Sequence, residues 1–162
     1  MNLRIIAAGG TFDKHYDELA GTLGFGASHL PHAIERARMA PSPVLQQLPL
    51  LDSLDMQTAD RERILQACQA SPETQVVVIH GTDTMAHTAA VLGPACGGKT
   101  VVLTGSMIPY EVVGSDAFFN LGFACGAARS LPAGVYVAMN ATVFAWNKVC
   151  KNRAQGIFTS LP

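Results

Sequence analysis

Val76-Val77-Val78-Ile79 is apolar at every position. Successive side chains of a strand point to opposite faces, so such a run is covered on both sides and belongs inside a parallel sheet. Residues 3–8 and 100–104 read as buried strands of the same kind, and 135–139 as a further strand. Helical stretches separate them. Residues 31–39 read as a short helix with Pro31 in its first turn. Residues 44–51 read as extended, although Pro49 sits among them. Residues 58–70 place Ile64, Leu65 and Cys68 on one helical face, with Arg61 and Arg63 elsewhere. Residues 84–92 and 115–129 complete the helices; Gly122-x-x-x-Gly126 in the last is a spacing for close helix packing. The glycine-rich polar stretch 9–29 reads as a loop. The tail from Asn140 is ambiguous, with 143–146 extended in one reading.

Strands alternating with helices imply right-handed crossovers and a parallel sheet covered on both faces. The expected fold is therefore a three-layer α/β domain, Rossmann-like or flavodoxin-like, and 162 residues suit one such domain. Apolar residues are 49% and charged residues only 14%, which excludes disorder and a solvated coiled coil. So little charge also points to surface hidden in an interface. Eleven basic against twelve acidic residues leave no cationic excess for phosphates, so no nucleic-acid partner is expected. The best apolar stretch, 117–139, is broken by Asn120, Arg129 and Pro132, so no membrane span is expected. The first eight residues are too short and too weakly basic for a signal peptide. Cys68, Cys96, Cys125 and Cys150 show no zinc spacing and read as free thiols in a cytoplasmic protein.

In doubly wound folds the ligand lies beyond the carboxyl ends of the strands. Those ends carry Gly9-Gly10-Thr11, His80-Gly81-Thr82-Asp83-Thr84, Gly105-Ser106-Met107 and Asn140-Ala141-Thr142. Glycines let backbone amides approach a ligand, and hydroxyls attack or donate. Taken singly, each has a plainer reading. Gly9-Gly10-Thr11 makes a simple turn, Thr82 and Asp83 make helix caps, and His80 makes a core histidine. Residues 93–100, G-P-A-C-G-G-K-T, fit a phosphate-loop pattern. A helix precedes them and a strand follows, the reverse of what phosphate binding needs, so Lys99 reads as solvated. His29 and His32 flank Pro31 with no third ligand nearby in sequence, and read as loop structure; no metal is expected.

Together these blocks resemble the bacterial-type L-asparaginase family. Gly9-Gly10-Thr11-Phe12 resembles its T-G-G-T-I signature, with Ala8 and Phe12 departing. Ser53-Leu54-Asp55-Met56 resembles S-Q-D-M, and His80-Gly81-Thr82-Asp83-Thr84-Met85 matches H-G-T-D-T-M throughout. Residues 104–120 resemble G-A-M-R-P…S-A-D-G-P-x-N, residues 139–143 resemble M-N-D-T-V, and Lys151 falls where the family places its lysine. The match spans nearly all the chain but only the family's amino-terminal domain, so a single-domain asparaginase over 1–162 is expected, without the usual second domain.

The resemblance implies hydrolysis of the L-asparagine side-chain amide to L-aspartate and ammonia, with no cofactor. Thr11 is implied as nucleophile, and Thr82, Asp83 and Lys151 as a hydrogen-bonded trio. Tyr16, the only tyrosine before Tyr110, is nominated to take the Thr11 proton from a mobile loop closing over substrate. Gly10, Ser53, Gly81, Thr82, Asp83 and Ser106 are implied substrate contacts, with Asp83 facing the α-ammonium. The other readings are a deamidase for glutamine or another small amide, and an amino-acid-binding module without turnover. Low charge and the apolar stretch 117–128 favour a homo-oligomer, dimer or tetramer.

Overall fold

The computed structural model describes residues 2–161; Met1 and Pro162, the ends of the expected domain, lie outside the described residues. In chain order the elements are β1 (Leu3–Gly9), a 3-10 turn (Thr11–Asp13), β2 (Lys14–Asp17), β3 (Thr22–Phe25), α1 (Leu30–Arg36), β4 (Val44–Leu51), α2 (Thr58–Ala70), β5 (Gln75–Ile79) and α3 (Met85–Leu92). There follow β6 (Thr100–Thr104), α4 (Ala117–Ser130), β7 (Gly134–Met139), β8 (Thr142–Ala145), β9 (Val149–Asn152) and β10 (Ile157–Ser160).

The main sheet runs β4-β1-β5-β6-β7-β8. Its first five strands are parallel, and β8 closes the edge antiparallel to β7. The apolar run of β5 lies where its pattern requires, third in this order. Val76 and Val78 pack into one layer with Ile64 and Cys68 of α2 and Met85 and Leu92 of α3. Val77 and Ile79 pack into the other with Leu30 and Ile34 of α1 and Leu121 and Ala124 of α4. All four are fully buried, and each such side chain contributes about 1.5–3 kcal/mol of transfer free energy. The three-layer α/β expectation holds, with one antiparallel edge strand.

The crossovers depart from the uniform right-handed expectation. The chain steps from β1 to β4 over the α1 layer, then back across the sheet to β5 and on to β6 over the α2–α3 layer. These three connections share one hand. The step from β6 to β7 continues in the same direction, yet α4 lies on the α1 side, so this crossover has the opposite hand. Residues 105–116, between β6 and α4, are long enough to carry the chain over the strand ends to that other layer.

The sheet order reverses between β1 and β5, which makes their carboxyl ends the topological switch point. Several local readings change. Residues 9–29 are not one loop: Gly9 ends β1, and β2 and β3 form an antiparallel hairpin off the main sheet. The tail resolves into β8 and a β9–β10 hairpin. Asn140 and Ala141 make the turn into β8 with φ of 54° and 57°. An alanine there gives no sequence warning, because non-glycine residues seldom adopt positive φ. Arg61 is buried rather than on an outer face. Its guanidinium donates to Met56 O and to Thr84 Oγ1. Lys99 is half-buried rather than solvated, its ammonium on the carbonyls of Ser71 and Glu73. A Cβ at Gly122 or Gly126 would meet nothing within 4 Å, so these glycines do not serve helix packing inside this chain.

Candidate active site

Two backbones meet at the switch point. Gly10, at φ 82°, lies so close to the end of β5 that a Cβ on it would stand 2.3 Å from Gly81 N. A Cβ on Gly81 would in turn stand 2.6 Å from both Cβ and Oγ of Ser53. Only glycine permits these approaches. Thr11 and Thr82 each follow one of these two glycines in the chain.

Ser53 is buried, and its turn is tied to the start of α3. Its Oγ accepts from Thr84 N, and its carbonyl accepts from Thr84 Oγ1 at 2.8 Å. Arg61 donates to the same Thr84 hydroxyl, so the buried guanidinium positions the whole turn.

Lys151 arrives from β9. That strand pairs with β10, Val149 and Phe158 sink into the α2–α3 layer, and Phe158 N donates to Asn140 Oδ1. The hairpin is thus pinned at both the core and the β7–β8 turn. Lys151 Nζ donates to Thr82 Oγ1 at 2.8 Å and to Asp83 Oδ1 at 2.8 Å. Its side chain is 9% exposed, against 33% for Asp83. Thr82 Oγ1 also reaches Met107 Sδ at 3.6 Å. Arg153, which the sequence reading did not single out, places Nε 3.7 Å from Asp83 Oδ1. It lies in the turn just after β9, where no motif flags an arginine.

The other expected residues sit differently. Ser106 is buried and donates its hydroxyl to Ile108 O, so it staples its own loop rather than facing the trio. Tyr16 stands on β2, 61% exposed, with its amide donating to Glu111 Oε1. It is the one exposed member of the five expected catalytic residues.

His80 is a core histidine. Its Nδ1 donates to Gly81 O at 2.7 Å, which leaves Nε2 to accept from Thr88 Oγ1 at 2.8 Å. Burial pushes its pKa down to about 4, and Arg61 acts in the same direction. Unfolded histidine binds its proton near 6.5, so between these values the unfolded chain holds more protons. The stability this contributes, about 3 kcal/mol, is present above pH 6.5 and lost as pH falls toward 4. Asp13 runs the other way: burial raises its pKa, so its contribution is present at low pH and lost as pH rises through its folded value. Urea unfolding of wild type and His80→Gln at several values between pH 4 and 6.5 isolates the histidine. Wild type gains more stability with rising pH than the variant; parallel curves would contradict the assignment.

Tight glycine contacts at a switch point and a hydroxyl–ammonium–carboxylate trio mark the candidate site of this α/β fold. The family model described as Asparaginase, N-terminal matches residues 2–160, and the chain belongs to that family. It is 32% identical over 149 residues to L-asparaginase 1 of Escherichia coli (strain K12), covering 89% of this chain and 44% of that protein. It is 32% identical to the glutaminase-asparaginase of Acinetobacter glutaminasificans, over 93% and 49% of the two chains. The solved L-asparaginase I of Vibrio cholerae superposes with a TM-score of 0.85 at 29% identity, over 99% of this chain and 52% of that one. The chain therefore spans about half the length of the relatives it matches.

Proposed function

We propose that this chain hydrolyses the side-chain amide of L-asparagine to L-aspartate and ammonia through an acyl-enzyme on Thr11. The observation that carries the reading is Lys151 Nζ at 2.8 Å from both Thr82 and Asp83, beside the point where Gly10 abuts Gly81. Thr11 Oγ adds to the amide carbon, and the departing nitrogen takes up a proton and leaves as ammonia. Water then cleaves the aspartyl ester and restores the Thr11 hydroxyl. In this reading Tyr16 relays the Thr11 proton once the β2–β3 hairpin folds down, since that hairpin stands off the sheet and β3 is exposed throughout. Lys151 serves as an electrostatic partner. Its ammonium donates to Thr82, which leaves the Thr82 proton free to turn from Met107 Sδ toward the attacking water. Asp83, held by Lys151 and Arg153, is one-third exposed and meets the substrate ammonium. Ser53 and the amides around Gly10 and Gly81 bind the α-carboxylate.

Ammonia release from L-asparagine, L-glutamine and a small panel of other primary amides tests this. L-asparagine gives the highest kcat/KM. Faster release from L-glutamine would replace the substrate, and aspartate binding without any ammonia release would replace catalysis by a binding role. The glutaminase-asparaginase relative is the reason to include glutamine.

Among the described residues no helix is long and apolar enough to cross a membrane. All four cysteines are free thiols, which suits a reducing cytoplasm. The outer face of α4 supports a homo-oligomer. A groove of about 540 Å³ there is lined by Met39, Phe118, Leu121, Gly122 and Gly126 together with Arg36 and Arg129, and Phe119 stacks on Phe123 of the same helix. Its two glycines allow a second backbone to approach closely.

A further inference from the structure

The fold gathers a second set of chemistry-bearing side chains, away from the trio and unmarked by any motif. His15 of β2, His29 just before α1 and Glu111 of the β6–α4 connection each present one ligand atom, all within 4.8 Å of one another. His15 Nδ1 lies 3.4 Å from Glu111 Oε2, and His29 Nε2 lies 3.9 Å from the same oxygen.

Hydrogen bonds to the backbone orient two of the three. His15 Nε2 is 2.7 Å from Ala27 O. A carbonyl only accepts, so Nε2 carries a proton and Nδ1 is the atom that faces the carboxylate oxygen. His29 Nε2 makes one long hydrogen bond, 3.4 Å to Lys14 O, with the same atom that faces Glu111. Glu111 is oriented by its other oxygen, which accepts from Tyr16 N at 2.9 Å. For His15 and Glu111 the remote atom is held by backbone while the near atom faces the cluster, as in metal-held imidazole and carboxylate ligands; His29 would give up its long Lys14 contact to the ion. The two imidazole rings stack with centroids 4.0 Å apart, which turns both toward the same carboxylate oxygen. One divalent ion serves all three.

We infer that His15, His29 and Glu111 form a binding site for a zinc-class transition-metal ion, clasping the β2–β3 hairpin to the β6–α4 connection. Two imidazoles and one carboxylate, with a water completing a tetrahedron, are a donor set that zinc accepts. Magnesium and calcium, which need oxygen ligands, are excluded by it. His32 is not a member: its Nδ1 lies 3.2 Å from Tyr110 Oη. The site holds the same hairpin that carries Tyr16, and it is judged by metal binding alone.

The purified chain, titrated with Zn²⁺ in a calorimeter and with Co²⁺ by visible absorption, tests it. One ion binds per chain. The cobalt form shows visible d–d bands without intense thiolate charge transfer, and Mg²⁺ produces no binding heat. Losing an outer-shell partner typically costs 10–100-fold in affinity, so losing a direct ligand in His15→Ala or Glu111→Gln weakens binding by more than about 100-fold. His87→Ala, an exposed histidine elsewhere, leaves it unchanged. Zn²⁺ also slows hydrogen exchange of the Tyr16 amide, because Glu111 is fixed against it. Absence of stoichiometric uptake, uptake undiminished in both ligand variants, loss of uptake in His87→Ala, or thiolate charge-transfer bands would each overturn the site.

Discussion

Thr11→Ala lowers kcat for ammonia release by at least about 10⁴-fold and leaves thermal unfolding nearly unchanged. The size follows from covalent catalysis: without the nucleophile, only binding and electrostatic preorganisation remain, and the residual rate is that of water in the same crevice. The intact fold follows from what the side chain does in the resting protein. Thr11 opens the 3-10 turn, half-buried, and among the described residues none shares a hydrogen bond with its hydroxyl. Phe12 and Asp13 anchor the turn instead. Phe12 stacks on Tyr110 at 5.7 Å, and Asp13 accepts from Ser28 Oγ and His29 N. Parallel assays and melting curves on purified protein separate lost chemistry from lost structure. A variant with near-normal kcat would move the nucleophile elsewhere, with Thr82 the next hydroxyl at the switch point.

Lys151→Met lowers kcat by about 10²–10³-fold, the loss expected when one preorganised group leaves a partly dry site. Methionine keeps much of the length of the apolar stem and removes the charge. Thr82 then loses the donor that orients its oxygen, and Asp83 keeps only Arg153, whose side chain is 63% exposed. Lys151→Arg does not rescue, because a planar fork cannot set single bonds of 2.8 Å on two oxygens as an ammonium does. Since Asp83 remains one-third exposed, the unpaired carboxylate is still solvated and the stability cost is small. Steady-state kinetics with melting curves reads both quantities. An unchanged kcat would remove Lys151 from catalysis.

Much of this was legible in the residues because strands and strand ends obey local rules. The run at Val76–Ile79 forced a doubly covered strand, and α2 matches its expected bounds of Thr58–Ala70. A capping box supports its start, in which Gln57 N donates to Asp60 Oδ2. Gly10, Gly81 and Ser53 were marked as a set by the family resemblance, and their interlocking backbones give the physical reason they belong together. What stayed hidden depends on where long connections travel. The hand of the β6–α4–β7 crossover is decided by a loop passing over the sheet edge, which no periodicity records. Arg61 was set apart from Ile64, Leu65 and Cys68, yet its spacing to them is that of one helical face, and it is buried with Ile64 and Cys68. The hairpins β2–β3 and β9–β10 lie off the main sheet, and their short strands carry no alternation strong enough to announce them. Glu111 is separated from His15 and His29 by most of the crossover topology. Only the return of the β6–α4 connection across the first loop brings Glu111 beside two histidines.

Acid quenching of the chain during turnover of L-asparagine, followed by peptide mass spectrometry, interrogates the reacting atom itself. An aspartyl ester on the peptide at Thr11, absent from Thr11→Ala and disappearing as substrate is exhausted, is the expected result. Ammonia released with no ester on Thr11, or with the ester on Thr82 instead, would contradict it.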